Sequence, residues 1–372
     1  MMKRRYVITT TQIIYFFIVM TMLLISTQFH VESTDNMDFA RHMMRIQYVG
    51  ESDLSLSQFL FGDGHSFTTN ISVKYCYAFN LITYLAGKYL KNYYIIVWLF
   101  ILVDYSIIAY IGVDWWKEQK RKKVVTRVFE MLICFSLLPY IHAVSGLRSA
   151  IASCIMALAL YKYLYKDERL IKVLFLTCIA VMFHPSILLA VPFAILAKKA
   201  NRKLGLIISM CLRPLISLTA RLLIHSSNPA LYAIAFKYLQ YTGEDGFRGT
   251  RFCYYGVIVI CILVLFQYLI LYFLKRKNRK KGFIQDKREY VFDFIAYYMI
   301  YTLSNIGDYE LVMRQGYLLG ALAPIITDMI FSKPYRTSRY IHIISWALNV
   351  MLYVIITYVS VKYVYRYGQF FV

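Results

Sequence analysis

Residues 145–192 read SGLRSAIASCIMALALYKYLYKDERLIKVLFLTCIAVMFHPSILLAVP. Two apolar segments lie in this stretch, separated by a short charged turn, and a third begins after a His-Pro break. Arg148 heads the first segment, and His184-Pro185 ends the second. As a helix, residues 170–184 span about 22 Å, less than the hydrocarbon core of about 30 Å. The flanking linkers Lys166–Lys172 and Lys198–Lys203 are both net positive. One continuous helix would put a positive linker on each side of a membrane, against the bias of Lys and Arg toward the cytoplasmic side. A hairpin turning at His184-Pro185 keeps both linkers together and sinks the histidine below the opposite surface. Pro185 suits the first position of the returning limb, where a backbone N–H is not needed.

Composition widens this reading to the whole chain. Of 372 residues, 59% are hydrophobic and 17% charged, against about 25% charged in soluble domains. Several apolar runs approach the length of about 20 residues that crosses a bilayer. The expectation is an all-α polytopic membrane protein forming a single integral membrane domain over residues 1–372. The first run, Tyr6 to Thr27, is long and lacks a small-residue cleavage site, so it reads as a signal anchor. The net charge of +22 does not point to nucleic acid, because the Lys and Arg lie in short linkers between apolar segments. The 35 Tyr and 25 Phe suit interfacial belts and lipid contact. Seven Cys with no CxxC pair argue against a metal centre or a disulfide framework. No metal and no cofactor are expected.

Linker charge sets the topology. Met1 to Arg5 holds three basic residues and no acid, so the N-terminus is placed in the cytoplasm. The loop Gln28–Asn70 has two Arg against six Asp and Glu and is placed outside. The basic linkers 112–127, 166–172, 198–203, 275–289 and 332–339 are placed inside. An odd number of crossings must then separate the first outer loop from 112–127. Tyr93 to Ile111 is the better crossing, so Ile71–Tyr89, with Lys74, Asn80 and Lys88, is read as an amphipathic or re-entrant helix at the outer interface. Further crossings fall near 128–143, 147–165, 170–184, 185–197, 205–225, 253–274, 290–306, 312–331 and 341–361. The total is about eleven, within a range of about ten to twelve, with a second outer loop near 226–252.

Residues along this map carry a resemblance. LRSAIASCIMALALYKYL followed by KDERLIKVLFLTCIAVMFHPSILLAVPFAIL is similar to the EpsG-like branch of the Wzy-type polysaccharide polymerases. That branch has an Arg opening an apolar helix, a short basic turn, and a Phe-His-x-Ser break. An acidic patch after the first crossing (STDNMDFARHM), a Tyr-rich stretch (KYLQYTGEDG) and a late Arg followed by Tyr (MRQGYLLG) are further points of likeness. The resemblance implies a GT-C-like, mainly helical glycosyltransferase in the bacterial cytoplasmic membrane. It would join polyprenyl-diphosphate-linked oligosaccharide repeat units on the outer face, for O-antigen, capsule or exopolysaccharide. The lipid-linked donor and acceptor and the bilayer are its implied partners, with a chain-length regulator and a flippase as candidate protein partners.

Transfer from a lipid diphosphate needs positive charge for the leaving group, a base for the acceptor proton, and alignment. No Asp-x-Asp motif or glycine-rich phosphate loop is apparent, which leaves arginines to grip phosphate in two-point contacts. Arg148 is the first candidate for the diphosphate, its bland alternative being a headgroup-snorkelling side chain. Arg314 is a second, beside Asp308 and Glu310, its bland alternative being a local ion pair with them. Arg248 and Arg251 lie in the second outer loop, where hydrated arginines are common. Arg213, next to Pro214 inside an apolar run, would cost about 2.5–3.5 kcal/mol if unpaired there. Asp104, mid-way along its own run, is the expected partner, and a substrate-facing role for Arg213 stays open beside it. His184 is a candidate base or diphosphate donor, or simply a helix-ending histidine. Asp35 and Asp38, three apart and on one face if helical, are candidates for the base or for sugar hydroxyls. Tyr238, Tyr241 and Trp98 are read as core or belt residues ahead of sugar-stacking ones.

Other classes remain in view. A flippase for a lipid-linked sugar predicts inverted repeats and cations along a path through both leaflets, and the sequence offers neither. A membrane acyltransferase modifying surface sugars would take its acyl donor from the cytoplasm, whereas the candidate residues face the other way. A nonenzymatic scaffold leaves Arg213 and the His184-Pro185 break unexplained.

Overall fold

A computed structural model describes residues 10–27, 29–30, 38–61, 76–90, 94–117, 146–242, 251–278 and 287–331, with positions 347, 354, 358, 369 and 370. The expected crossings at 128–143 and 341–361 lie outside these residues, apart from positions 347, 354 and 358 of the second. The described chain is helical, save for one two-residue antiparallel pairing of Phe29–His30 with Gln369–Phe370. With no water in a bilayer to satisfy the peptide group, helices are the form that such apolar runs can take.

Helix α1 is Thr10–Thr27, α2 is Asp38–Glu51 and α3 is Leu56–Phe61. Next come α4, Tyr77–Tyr89, and α5, Tyr94–Lys117. Helix α6, Leu147–Tyr161, continues through a π-helical turn, Lys162–Lys166. Helix α7 is Leu170–Phe183, and a 3-10 turn, Pro185–Leu189, leads into α8, Ala190–Lys199. The rest is α9, Arg202–Leu223; α10, Pro229–Thr242; α11, Arg251–Asn278; α12, Lys287–Ser304; α13, Tyr309–Ala321; and α14, Ala323–Phe331. Among the described residues, Tyr94–Lys117, Leu147–Lys166 and Arg202–Leu223 are long and apolar enough to cross a membrane.

The stretches read as outer loops contain helices that their composition did not suggest. Helices α2 and α3 occupy the stretch read as the first outer loop, and α10 occupies the second. The run 312–331 is two helices rather than one. Pro324, lacking an N–H and crowding the carbonyl four residues back, sits just past the break at Leu322. Helix α4 has 13 residues, about 20 Å, too short for the hydrocarbon core. It packs on α2, where Gly87 lets the Ile46 carbonyl and Val49 come close.

Helix α6 is central. Its face from Ala150 to Tyr161 is almost wholly buried, against α5, α7 and α13. Helix α9 is the opposite case, exposing Leu204, Ile207, Met210, Leu215, Leu218 and Leu222, a lipid-facing surface in a membrane protein.

Charge sorts the two ends of the bundle. Lys166 meets Asp114 at 2.5 Å, Lys198 meets Asp167 at 2.5 Å, and Lys287 lies 4.0 Å from Asp167. Arg202 holds Glu289 at 2.5 Å and Asp293 at 2.7 Å. Four basic linkers therefore gather at one end. The chain turns at His184 (φ −154, ψ 105), the extended conformation that a following proline imposes, and returns to bring Lys198 beside Asp167. Leu147–Lys166 has 20 residues, about 30 Å as helix, so Arg148 stands at the far end.

Close approach of α1 and α5 depends on Gly112, where a Cβ would overlap the phenol end of buried Tyr15. Gly112→Leu is expected to cost about 1–3 kcal/mol through overpacking. Thermal unfolding in detergent should show the loss, and Tyr15→Ala added to Gly112→Leu should recover part of it.

Candidate functional site

At the end away from the basic linkers, two successive side chains in the first turn of α6 divide between two neighbourhoods. Arg148 turns toward α4, its guanidinium 5.6 Å from the Phe79 ring centroid and its Nη1 donating to Cys76 Sγ at 3.7 Å. Ser149 turns toward α13 and accepts from Arg314 Nη1 at 3.3 Å.

Arg314 is the hub of the second neighbourhood. Its Nε and Nη2 hold Glu310 Oε1 at 2.7 and 2.6 Å. Its Nη1 lies 2.9 Å from His184 Nε2. A guanidinium only donates, so Nε2 is the acceptor. The other ring nitrogen, Nδ1, then carries the hydrogen and donates to Ser186 Oγ at 2.7 Å. Three segments distant in sequence thus meet at one cation: the head of α6, the break after α7, and the first turns of α13.

Helix α2 adds two side chains that sequence reading missed. His42 packs edge-on against Phe79, centroids 4.8 Å apart, and the Arg45 guanidinium lies 5.1 Å from the Phe59 ring. Both are buried. Their signal was the helical spacing of His42, Arg45, Ile46 and Val49 within an acidic stretch read as loop. Arg148 donates to Cys76, and Arg45 and Arg314 also lie within electrostatic reach of that thiol. Burial pushes the Cys76 thiol up from its ordinary value, and the arginines oppose the rise. Among the described residues no three His, Cys, Asp or Glu side chains gather as metal ligands.

The expected pairing of Arg213 with Asp104 is not made. Arg213 Nη2 instead meets Asp308 Oδ2 at 2.7 Å, which lowers the cost of a charge in an apolar helix. Asp308 precedes α13, in a turn where Gly307 takes φ 104, a conformation glycine adopts freely, and donates its N–H to Tyr254. Asp104 is fully buried, with the Cys154 thiol beside it. Asp38 opens α2, Arg251 opens α11 and Tyr241 lies in α10, but their side chains, with all of Asp35 and Arg248, lie outside the described residues. Trp98 donates to the Ser26 carbonyl at 3.2 Å and ties α5 to α1.

Burial first, then Arg148, Arg45 and Arg41, hold the His42 imidazole well below 6.5. The unfolded chain therefore binds this proton more readily than the folded one, and stability falls as pH drops below the unfolded value. The unfolding temperature is expected to decline between pH 7.5 and 5, and His42→Phe should shrink that decline. An equal decline in both proteins would assign the acid sensitivity elsewhere.

The family model described as EpsG family matches residues 13–372. No curated protein and no solved structure matches the chain. With a match running from the first helix to the last residue, this chain belongs to the EpsG family.

Proposed function

We propose that the chain is an integral membrane glycosyltransferase that polymerises polyprenyl-diphosphate-linked oligosaccharide repeat units on the outer face of the bacterial cytoplasmic membrane. The observation that carries this is the convergence of Arg148, Arg45 and Arg314 at the end opposite the basic linkers. If those linkers are cytoplasmic, as their charge argues, the arginines face the outside, where lipid-linked units await assembly. The whole chain is then one membrane domain of about eleven crossings, GT-C-like in plan, with α2 to α4 at its outer interface.

In this reading Arg148 and Arg314 bind the diphosphate of the donor. An acceptor hydroxyl oxygen attacks the anomeric carbon of the growing chain, and the bond from that carbon to the diphosphate oxygen breaks. The released lipid diphosphate keeps the electron pair, and the arginines stabilise the charge. The hydroxyl proton passes to a carboxylate, for which Asp35, Asp38 and Glu310 are the candidates. His184 has its Nε2 lone pair committed to Arg314, so its role is to aim that guanidinium. It serves as a base only if Arg314 lets go. Arg248 and Arg251 are placed as loop contacts to the saccharide. No metal enters this scheme, and a chain-length regulator and a flippase would act beside it.

Arg148→Ala and Arg314→Ala are each expected to lower turnover about 10²–10³-fold, the loss seen when one transition-state donor is removed. Cells carrying them should show single repeat units in place of long chains on gels of surface glycan. His184→Gln keeps an acceptor for Arg314 and should retain most activity, whereas His184→Phe should not. Equal failure of both His184 variants would restore the imidazole as base. Impermeant thiol labelling of single-cysteine variants should reach position 184 from outside and position 198 only after permeabilisation.

A further inference from the structure

Beside the arginines lies a buried polar cluster that the reaction outlined above does not use. Asp308 pairs with Arg213 from α9. Tyr238, on α10, lies within electrostatic reach of both. Tyr301, on α12, lies within reach of the same pair and of Tyr238. Asn305 stands one helical turn further on and gives its Nδ2 to the Tyr301 carbonyl at 2.7 Å. The Tyr238 hydroxyl, the Tyr301 hydroxyl and Asn305 Oδ1 are buried and have no hydrogen-bond partner among the described residues. The Asn305 side chain adjoins the Tyr301 hydroxyl without reaching bonding geometry.

Buried polar atoms are nearly always satisfied, and each one left unmade costs about 1–3 kcal/mol. Three in one cluster, around a carboxylate and a guanidinium, leave two donors and an acceptor suited to a polar group that both donates and accepts. Helix α10 covers the cluster. That helix is seated on α9 and α13 through a small apolar cluster of Ala220, Ala235, Tyr238 and Leu311, separate from the main core. Arg213, 37% exposed, reaches from the polar cluster to its surroundings. Asp308 lies six residues before Arg314, about 9 Å along the axis of α13. That separation is on the scale of a sugar ring and the linkage that joins it to a diphosphate.

We propose that Arg213, Asp308, Tyr238, Tyr301 and Asn305 form a carbohydrate subsite beneath α10, which holds a sugar of the lipid-linked repeat unit while Arg314 and Arg148 hold its diphosphate. Sugar hydroxyls donate to Asp308 and Asn305 Oδ1 and accept from Arg213 and the two phenols. The proposal rests on the polymerase reading for its substrate, but the binding it describes can be measured without turnover.

The test compares Tyr238→Phe and Tyr301→Phe with wild type, each variant losing one hydroxyl and keeping its ring. Three probes are used: lipid-linked repeat units from a strain lacking this gene, the free repeat-unit oligosaccharide released from them, and geranylgeranyl diphosphate, which has no sugar. Wild type should bind the free oligosaccharide, and each variant should bind it about tenfold more weakly. The KM for lipid-linked units should rise by a similar factor, inhibition by geranylgeranyl diphosphate should not change, and thermal stability should not fall. Oligosaccharide binding and KM unchanged in both variants would mean that the hydroxyls meet only water, which overturns the subsite. A parallel loss of geranylgeranyl diphosphate inhibition would overturn it too, as general damage to the site. Wild type that binds the oligosaccharide but joins no units would sink the polymerase reading and leave the subsite standing.

Discussion

Arg314 is the contact on which the functional end of the bundle depends. One guanidinium accommodates Glu310 from its own helix, His184 from the break after α7, and Ser149 from the head of α6. Each partner alone is modest; an i,i+4 ion pair on a helix contributes only a few tenths of a kcal/mol. Together they fix where three chain segments end relative to one another. The His184-Pro185 break exists in the backbone for a local reason, the restricted conformation before proline. The ion it helps to hold gives that break a consequence for the whole site.

Charge sorting does for the molecule what Arg314 does for the site. The linkers around Asp114, Asp167 and Glu289 draw the ends of α5, α6, α8 and α12 together through ion pairs. Their positive excess also argues for a cytoplasmic location. The opposite end collects arginines whose described neighbours are rings, a thiol, an imidazole and few carboxylates. Two cationic ends of different character follow. In one, acids already meet much of the basic charge. In the other, guanidiniums lie over aromatic faces, which hold a cation without neutralising it.

Most of the described helices were legible in sequence from apolar length, and the break at His184 from the proline that follows it. Arg148, His184 and Arg314 were read as candidates from topology and family likeness, although the contact that joins Arg314 to His184 was not foreseen. What escaped has a common physical cause: each missed feature depends on a partner distant in the chain. His42 and Arg45 sit on a regular helical face, but an acidic, loop-like composition hid a helix that is stable only because Gly87 lets α4 press against it. Arg213 needed a carboxylate, and sequence offered Asp104 at a similar depth. The fold supplied Asp308 from a helix start instead, leaving Asp104 beside Cys154. Likewise, an apolar run from 312 to 331 is long enough for one helix, and only the steric effect of Pro324 on the preceding turn divides it.

Arginine pairing separates the residues that hold the fold from those able to exchange a partner. Arg202 grips two carboxylates that are 5% and 1% exposed, and Tyr268 adds a hydrogen bond to Asp293 at 2.7 Å. Removing that guanidinium would strand buried negative charge, a cost of several kcal/mol, so its partners are committed. Arg314 and Glu310 are 20% and 18% exposed and share a single carboxylate oxygen. A diphosphate carries more charge than Glu310 and presents oxygens that match the guanidinium fork. Under the proposed function a diphosphate would displace the carboxylate, leaving Glu310 within one helical turn of the cation. Binding the leaving group and uncovering a proton acceptor would then be one event, coupling the arrival of donor to readiness for attack.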